Sequence, residues 1–331
     1  MLNLRIIFFT LFFFSHFLYA GEDKSSTVIK TVDDKKLPKT QKTTEPTTDD
    51  WSNTFHDTIA DSVYQSALWF DSFFTENDTE QQTPKTSAKI RLGWLPKRHD
   101  LTETEVKFRL KVSLPNLKNK TDLIFSDDSD DNLGDLPLES SDIKTSTDDE
   151  SFSAAIRYVQ KKEKNQFTDY RLGISSADIF IRARHKRRFF WWHNHGFKVE
   201  PSLYYFMNNG LGAKLLLEYD YQINLTNQYR VNYTIRASES FQGEKWKQGT
   251  YHLKQLADNR ASALGLVIEG RYHSEQGSYI DKYTLSYRYR FNAVKSWLFF
   301  EVEPFIEWSK EDNFTTNPGI ALRIEGYFQK N

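Results

Sequence analysis

The chain has 331 residues, a formal net charge of -1 and no cysteine. Near-neutrality removes any global pull toward nucleic acid, and the missing cysteines exclude a disulfide framework and a lipid-modified N-terminal cysteine. A mean hydropathy of -0.66, with no apolar run after residue 20 long enough for a spanning helix, argues against a helical membrane protein.

Met1 to Ala20 reads as a secretory signal peptide: Arg5 gives the positive start, Ile6 to Leu18 is apolar, and Ala20–Gly21 is a small-residue cleavage site. The alternative, a membrane anchor, is too short and is interrupted by Ser15 and His16. Residues 21–50 are rich in threonine, lysine and aspartate and lack aromatics, the composition of a disordered periplasmic leader.

Between residues 51 and 76 the pattern becomes helical. Trp51, Phe55, Ile59, Val63, Ala67, Phe70 and Phe74 recur on one face of an amphipathic helix. That face packs on another apolar surface of the protein, plugs a lumen, or meets a periplasmic protein partner. The absence of lysine and arginine between Trp51 and Phe74 argues against an anionic lipid surface. Residues 77–87 are a polar linker.

From residue 88 to 331 the period is two. Ile90, Leu92 and Trp94 alternate with Lys89 and Arg91, and Val106 to Leu114 continues the pattern. A short strand at Thr121–Ser126 follows, then runs at 152–160, 166–174, 178–185, 197–207, 211–225, 228–238, 248–257, 262–272, 282–291, 298–308 and 318–328. In the penultimate pair, Tyr283, Leu285, Tyr287, Tyr289 and Phe291 share one face while Arg288 and Arg290 share the other, opposite Glu301, Glu303 and Glu307. One face greasy and one charged, together with aromatics at 15%, point to an all-β transmembrane antiparallel β-barrel of about fourteen strands. Twelve is the alternative if Thr121–Ser126 is not a strand or the first hairpin lies off the barrel.

A periplasmic N-terminus places the short turns near 226, 259 and 294 on the periplasmic side. Residues 127–150, 239–246 and 309–317 then become outer loops.

The polar phase carries a charge ladder that reads as balanced. Arg182, Arg184, Arg230, Arg236, Arg271, Arg288, Arg290 and Arg323 stand with Asp169, Glu200, Glu218, Asp220, Glu269, Glu301, Glu303 and Glu325. Such a wall either rigidifies and nearly seals a narrow barrel or lines a path selecting small polar or zwitterionic solutes.

Phe189, Phe190, Trp191 and Trp192, after Lys186, Arg187 and Arg188, read as membrane-interface anchors at a periplasmic turn. His193 and His195 lack a nearby carboxylate, so no metal site is expected, and no cofactor motif is present. The acidic run Asp127, Asp128, Asp130, Asp131 and Asp135 offers a bridge through divalent cations to lipopolysaccharide. Its Gly134 is one place late for a calcium loop starting at Asp128, which favours a solvated charge run. Catalytic motifs are lacking: there is no Gly-x-Ser-x-Gly, no His-Glu-x-x-His and no cysteine nucleophile. Only His273 with Ser274 and Ser278 brings the groups of an outer-membrane lipid hydrolase close.

The order of signal, leader, "WFDSFF" (Trp69–Phe74), "LPNLKNKTDLIFSDD", "WLFFEVEPFIEW" and "LRIEGYF" resembles a family of uncharacterised proteobacterial outer-membrane barrel proteins. The resemblance implies the outer membrane of a Gram-negative bacterium, with its lipids, lipopolysaccharide and barrel assembly machinery as partners. It transfers no catalytic residue. Tyr327 and Phe328 stand for the family's terminal assembly signal, although Gln329, Lys330 and Asn331 follow where an aromatic usually ends the chain.

Overall fold

The computed structural model describes residues 69–70, 86–98, 100–114, 120–126, 138, 152–163, 165–175, 178–191, 194–273, 277–292, 295 and 297–330. The signal, the leader, the linker up to residue 85 and the helix at 51–76, apart from Trp69 and Phe70, lie outside the described residues. No helix among the described residues is long and apolar enough to cross a membrane.

Fourteen strands among these residues close into one antiparallel barrel in sequence order. They are β1 (Thr86–Trp94), β2 (Thr104–Ser113), β3 (Thr121–Ser126), β4 (Ser153–Glu163), β5 (Gln166–Ser175), β6 (Asp178–Trp191) and β7 (His195–Phe206). β8 (Gly210–Asn224), β9 (Asn227–Ser238), β10 (Phe241–Ala257), β11 (Arg260–His273), β12 (Gly277–Phe291), β13 (Leu298–Ser309) and β14 (Asn317–Lys330) complete it. β14 returns to β1, from Thr86 opposite Lys330 to Trp94 opposite Leu322. The short strand Thr121–Ser126 and the first hairpin are both staves of the barrel, so the count is fourteen and not twelve.

Directly paired residues of an antiparallel ladder share a face, so the register carries inward and outward around the ring. Outward positions hold Ile156, Leu172, Ile181 and Leu203, each half exposed or more. Inward positions hold Arg157, Arg230, Arg290 and Glu218, each 2% exposed or less. A soluble barrel would bury the first set and solvate the second. This polarity is inverted, as a hydrocarbon surround requires.

Connections at the end carrying both termini are short, at 164–165, 192–194, 225–226 and 258–259, with 114–120 and 292–297 somewhat longer. At the other end 127–152 is the longest, beside 95–103 and 310–316.

Two expected boundaries shift. The outer loop expected at 239–246 shrinks to 239–240, because β10 starts at Phe241. Gly243 takes φ 102° in a bulge between Phe241 and Glu244, where a Cβ would lie 2.0 Å from the Tyr272 carbonyl oxygen. Glycine thus lets the strand turn a corner without leaving the sheet. Similarly, β6 runs through Trp191, so the expected aromatic turn is largely strand. Strand alternation splits its residues. Phe189 and Trp191 face outward at 40% and 38% exposure, whereas Phe190 faces inward beside its register partner Gly196; Trp192 lies outside the described residues. Arg187, also outward, sits 4.9 Å over the Phe189 ring.

Candidate functional site

The barrel interior is the site, and its charges fall into walls. On the seam wall, Arg323 reaches Glu301 at 2.7 Å, Glu303 at 2.6 Å and Glu105 of β2 at 3.2 Å. Glu325 accepts from Arg91 Nε at 2.6 Å and from Arg290 and Tyr327, with Lys89 at 3.3 Å. Arg290 also reaches Glu301 at 3.3 Å, and Arg288 lies 3.4 Å from Glu303 and 3.7 Å from Glu301. This network stitches β12, β13 and β14 to β1 and β2. Opposite charges at neighbouring register positions hold each other without displacing solvent-facing groups elsewhere.

A second wall joins β7, β8 and β9. Lys198 Nζ contacts Glu218 at 2.8 Å, and Arg230 Nε donates to Asp220 at 2.6 Å while its Nη1 lies 3.9 Å from Glu218. Gln228 donates to Asp220 at 2.5 Å. Asp169 holds Arg184 at 2.7 Å and Arg171 at 3.3 Å, and Arg184 also approaches Glu200 at 3.6 Å. Arg157 of β4 donates to Asp122 of β3 at 2.6 Å.

The remaining ladder residues lie between and beyond these walls. Arg182 is buried, opposite Arg171 and Tyr204. Arg236 donates to the Tyr204 hydroxyl at 2.8 Å. Glu269 bridges Lys282 at 2.9 Å and Lys247 at 3.6 Å. Arg271 is half exposed and pairs with Asp281 at 2.9 Å. Every ladder residue therefore occupies an inward register position.

Among the described residues the inward face is also not balanced. Lys107, Arg109 and Lys111 point inward from β2, with Glu105 of the same strand 3.4 Å from Lys107 and Asp122 of β3 3.9 Å from Lys111. Around β4 to β7 the inward positions carry Arg157, Arg171, Arg182, Arg184, Lys186, Arg188 and Lys198, against Asp169, Asp178 and Glu200. Lys245 and Lys247 add to this on β10. β13 is the most acidic strand, with Glu301, Glu303 and Glu307 inward, while β3 contributes Asp122 and β8 Glu218 and Asp220 against Lys214. The sequence tally missed most of these cations because the phase of short or bulged strands, such as β4 with its shift between Val159 and Lys161, needs the register to fix it. Lys89 and Arg91 alternate visibly with the outward Ile90 and Leu92, as Lys107, Arg109 and Lys111 do with their apolar neighbours, so these cations were legible from the sequence alone.

Apolar residues interrupt this charge in three places: around Phe180, Tyr204 and Phe206, around Leu95, Phe305 and Ala321, and in a larger stretch. Leu216, Tyr251, Leu253, Ala261, Ala263 and Val267 form a buried cluster that also takes in Phe70 and Leu138, with Trp69 and Phe299 against it. Phe70 is 0% exposed, and the Trp69 ring meets it edge-on at 5.1 Å. Of the expected helix face, Phe70 is thus placed inside the barrel, while Trp51, Phe55, Ile59, Val63 and Phe74 lie outside the described residues. Arg288 Nη2 donates to the Leu138 carbonyl at 3.1 Å.

Elsewhere, His195 stacks beside Trp191 and shares a 2.6 Å hydrogen bond with the Tyr219 hydroxyl. Among the described residues no group of histidines and carboxylates could hold a metal ion. Tyr327 joins the inward network, whereas Phe328 faces outward against Trp297 at 5.1 Å. His273 ends β11, and Ser274 lies outside the described residues.

No protein-family model and no curated protein matches the sequence. Among solved structures, the chain is similar to OmpT lacking loop L8, an outer membrane protein of Vibrio cholerae, at 8% identity over 74% of this chain and 99% of that one, with a TM-score of 0.46. It is similar to a bacterial polysaccharide outer membrane secretin at 9% identity over 75% of this chain and 100% of that one, TM-score 0.44. It is also similar to the outer membrane channel DcaP of Acinetobacter baumannii at 8% identity over 73% and 96%, TM-score 0.43.

Proposed function

We propose that the protein is a narrow outer-membrane channel of a Gram-negative bacterium that passes small anionic solutes. The observation that carries this is an inward face richer in lysine and arginine than in carboxylate, enclosed by an outward face of exposed aliphatic side chains. Fixed cations in a confined, low-dielectric path raise the local anion concentration and set its selectivity. The reading thus moves from zwitterionic solutes, suggested by a balanced ladder, to anions. Lipids and lipopolysaccharide around the barrel, and assembly machinery reading the outward Phe328, are partners that this location implies. Membership in the proteobacterial barrel family rests on the motif order described above.

The test is the reversal potential of the reconstituted barrel under a potassium chloride gradient. Chloride preference is expected, reduced in R182Q/R184Q. Cation preference in the unmodified barrel overturns the proposal.

A second reading, a sealed structural barrel with a periplasmic partner, draws support from Phe70 and Leu138 inside the lumen. It predicts no conductance even after removal of residues 53–85, and a protein partner recovered by crosslinking from Phe55.

A further inference from the structure

The apolar stretch of the lumen has the features of a ligand site. Guanidiniums border it in register, with Arg230 across from Tyr251, Arg288 across from Ala263 and Arg290 across from Ala261. On the β9 side, Asn232 is 0% exposed, and neither its amide nitrogen nor its oxygen has a hydrogen-bond partner; the Thr234 hydroxyl, in a residue 1% exposed, has none either. Buried polar groups in native proteins are nearly always met. Two adjacent unmet residues therefore offer hydrogen-bond partners to water or to a bound polar group.

Two groups of the chain already fill the neighbouring positions. The Phe70 ring lies in the apolar cluster, and the Leu138 carbonyl oxygen takes a hydrogen bond from Arg288. An apolar body and an anionic oxygen, placed side by side, would have these same two needs.

We propose that this seat binds an anion with an aromatic or apolar body, and that Phe70 and the Leu138 carbonyl occupy it in the resting chain as internal stand-ins. The inference rests on the anionic-solute reading and narrows it. Charge supports the assignment. Asp71 follows Phe70, residues 53–85 hold six carboxylates to one lysine, and residues 127–150 hold ten to one lysine. The sequences flanking both stand-ins thus complement a cationic wall. A solute with both features competes for the apolar cluster and for Arg288 together. A bare carboxylate competes only for the charge, and an aromatic cation only for the apolar surface.

Because the chain has no cysteine, a single introduced thiol reports on the seat. W69C keeps Phe70 in place, and L68C, which also keeps it, serves as the second reporter should W69C fail to give the heat-modifiable band of a folded barrel. Maleimide labelling of the full mature chain is timed alone and with benzoate, acetate or benzylamine at matched ionic strength. The expected result is slow labelling alone, accelerated several-fold by benzoate and far less by acetate or benzylamine, with the benzoate effect diminished in R288Q. Fast labelling without any probe, or equal effects of the three probes, overturns the proposal. Labelling needs no ion flow. A barrel lacking residues 53–85 that is silent in bilayers therefore sinks the channel reading alone, and the seat is judged by labelling.

Discussion

Arg323 is 3% exposed and lies within 3.2 Å of three glutamates from β2 and β13. Removing its charge takes from Glu301 and Glu303 their nearest cation and leaves Arg288 and Arg290, at 3.3 to 3.7 Å, to hold both buried carboxylates. Breaking such a buried pair typically costs about 3–5 kcal/mol, whereas removing both partners costs much less. R323Q is therefore expected to lower the urea midpoint of the barrel strongly, and R323Q/E303Q to recover part of the loss. Equal midpoints for the two variants count against the network as a stabilising unit. Asp100, in the β1–β2 connection, behaves differently because it is exposed. The Thr102 backbone N–H at 2.9 Å and its hydroxyl at 2.8 Å donate to one carboxylate oxygen and hold this carboxyl below its ordinary value of 3.8. A depressed acid contributes its stability above the ordinary value and loses it as the pH falls through the lower folded one. The turn should thus persist at pH 4 and open in stronger acid, read as Thr102 amide exchange. At this scale, alternation in the long strands β12 and β13 made Arg288, Arg290, Glu301 and Glu303 legible as one facing set. The companions Arg91 and Glu105 were not, because more than two hundred residues separate them from their partners on β14 and only barrel closure brings them near. Phe70 was legible as part of an apolar stripe, but the stripe does not say which surface receives it.

Strands pair closely here where a glycine meets an aromatic ring. A Cβ on Gly319 would lie 2.3 Å from Phe305, one on Gly212 2.3 Å from Tyr204, and one on Gly265 2.8 Å from Tyr251, each pair directly opposed in register. The ring lies flat over the missing side chain and covers backbone that glycine leaves bare, a device that pins register. G319A should cost about 1–3 kcal/mol by overpacking, and F305A in the same background should relieve part of that penalty; strictly additive losses in denaturant unfolding contradict the contact. Element count and order were readable because strand period and turn signals repeat at each stave. The ends of β6 and β10 were not. Charged and aromatic residues at 186–191 and 241–247 look like loop by composition, yet the neighbouring strands already offer them hydrogen-bond partners. Tertiary pairing overrides local composition at such places.

Across the whole molecule, the formal charge of -1 conceals a partition. Cations gather on the interior wall, and carboxylates concentrate in the segments at 53–85 and 127–150. Removing residues 53–85 should therefore strengthen anion preference, since it deletes counter-charge from the chain while leaving the wall intact. Unchanged selectivity after that deletion would show that these carboxylates never reach the path. Composition gave no hint of this division, because opposite charges cancel in any tally that ignores which face they occupy.

The seam between β1 and β14, which closes the barrel, also bears on folding. Until the last strand is in place, the sheet has two bare edges, each a row of unmet backbone groups ready to join another chain. Arg91 on the first edge and Glu325 on the last form a charge-assisted clasp across that gap. A variant such as E325Q should consequently be felt during biogenesis, as more open-edged chain captured by periplasmic chaperones and proteases. The barrels that do close should change less.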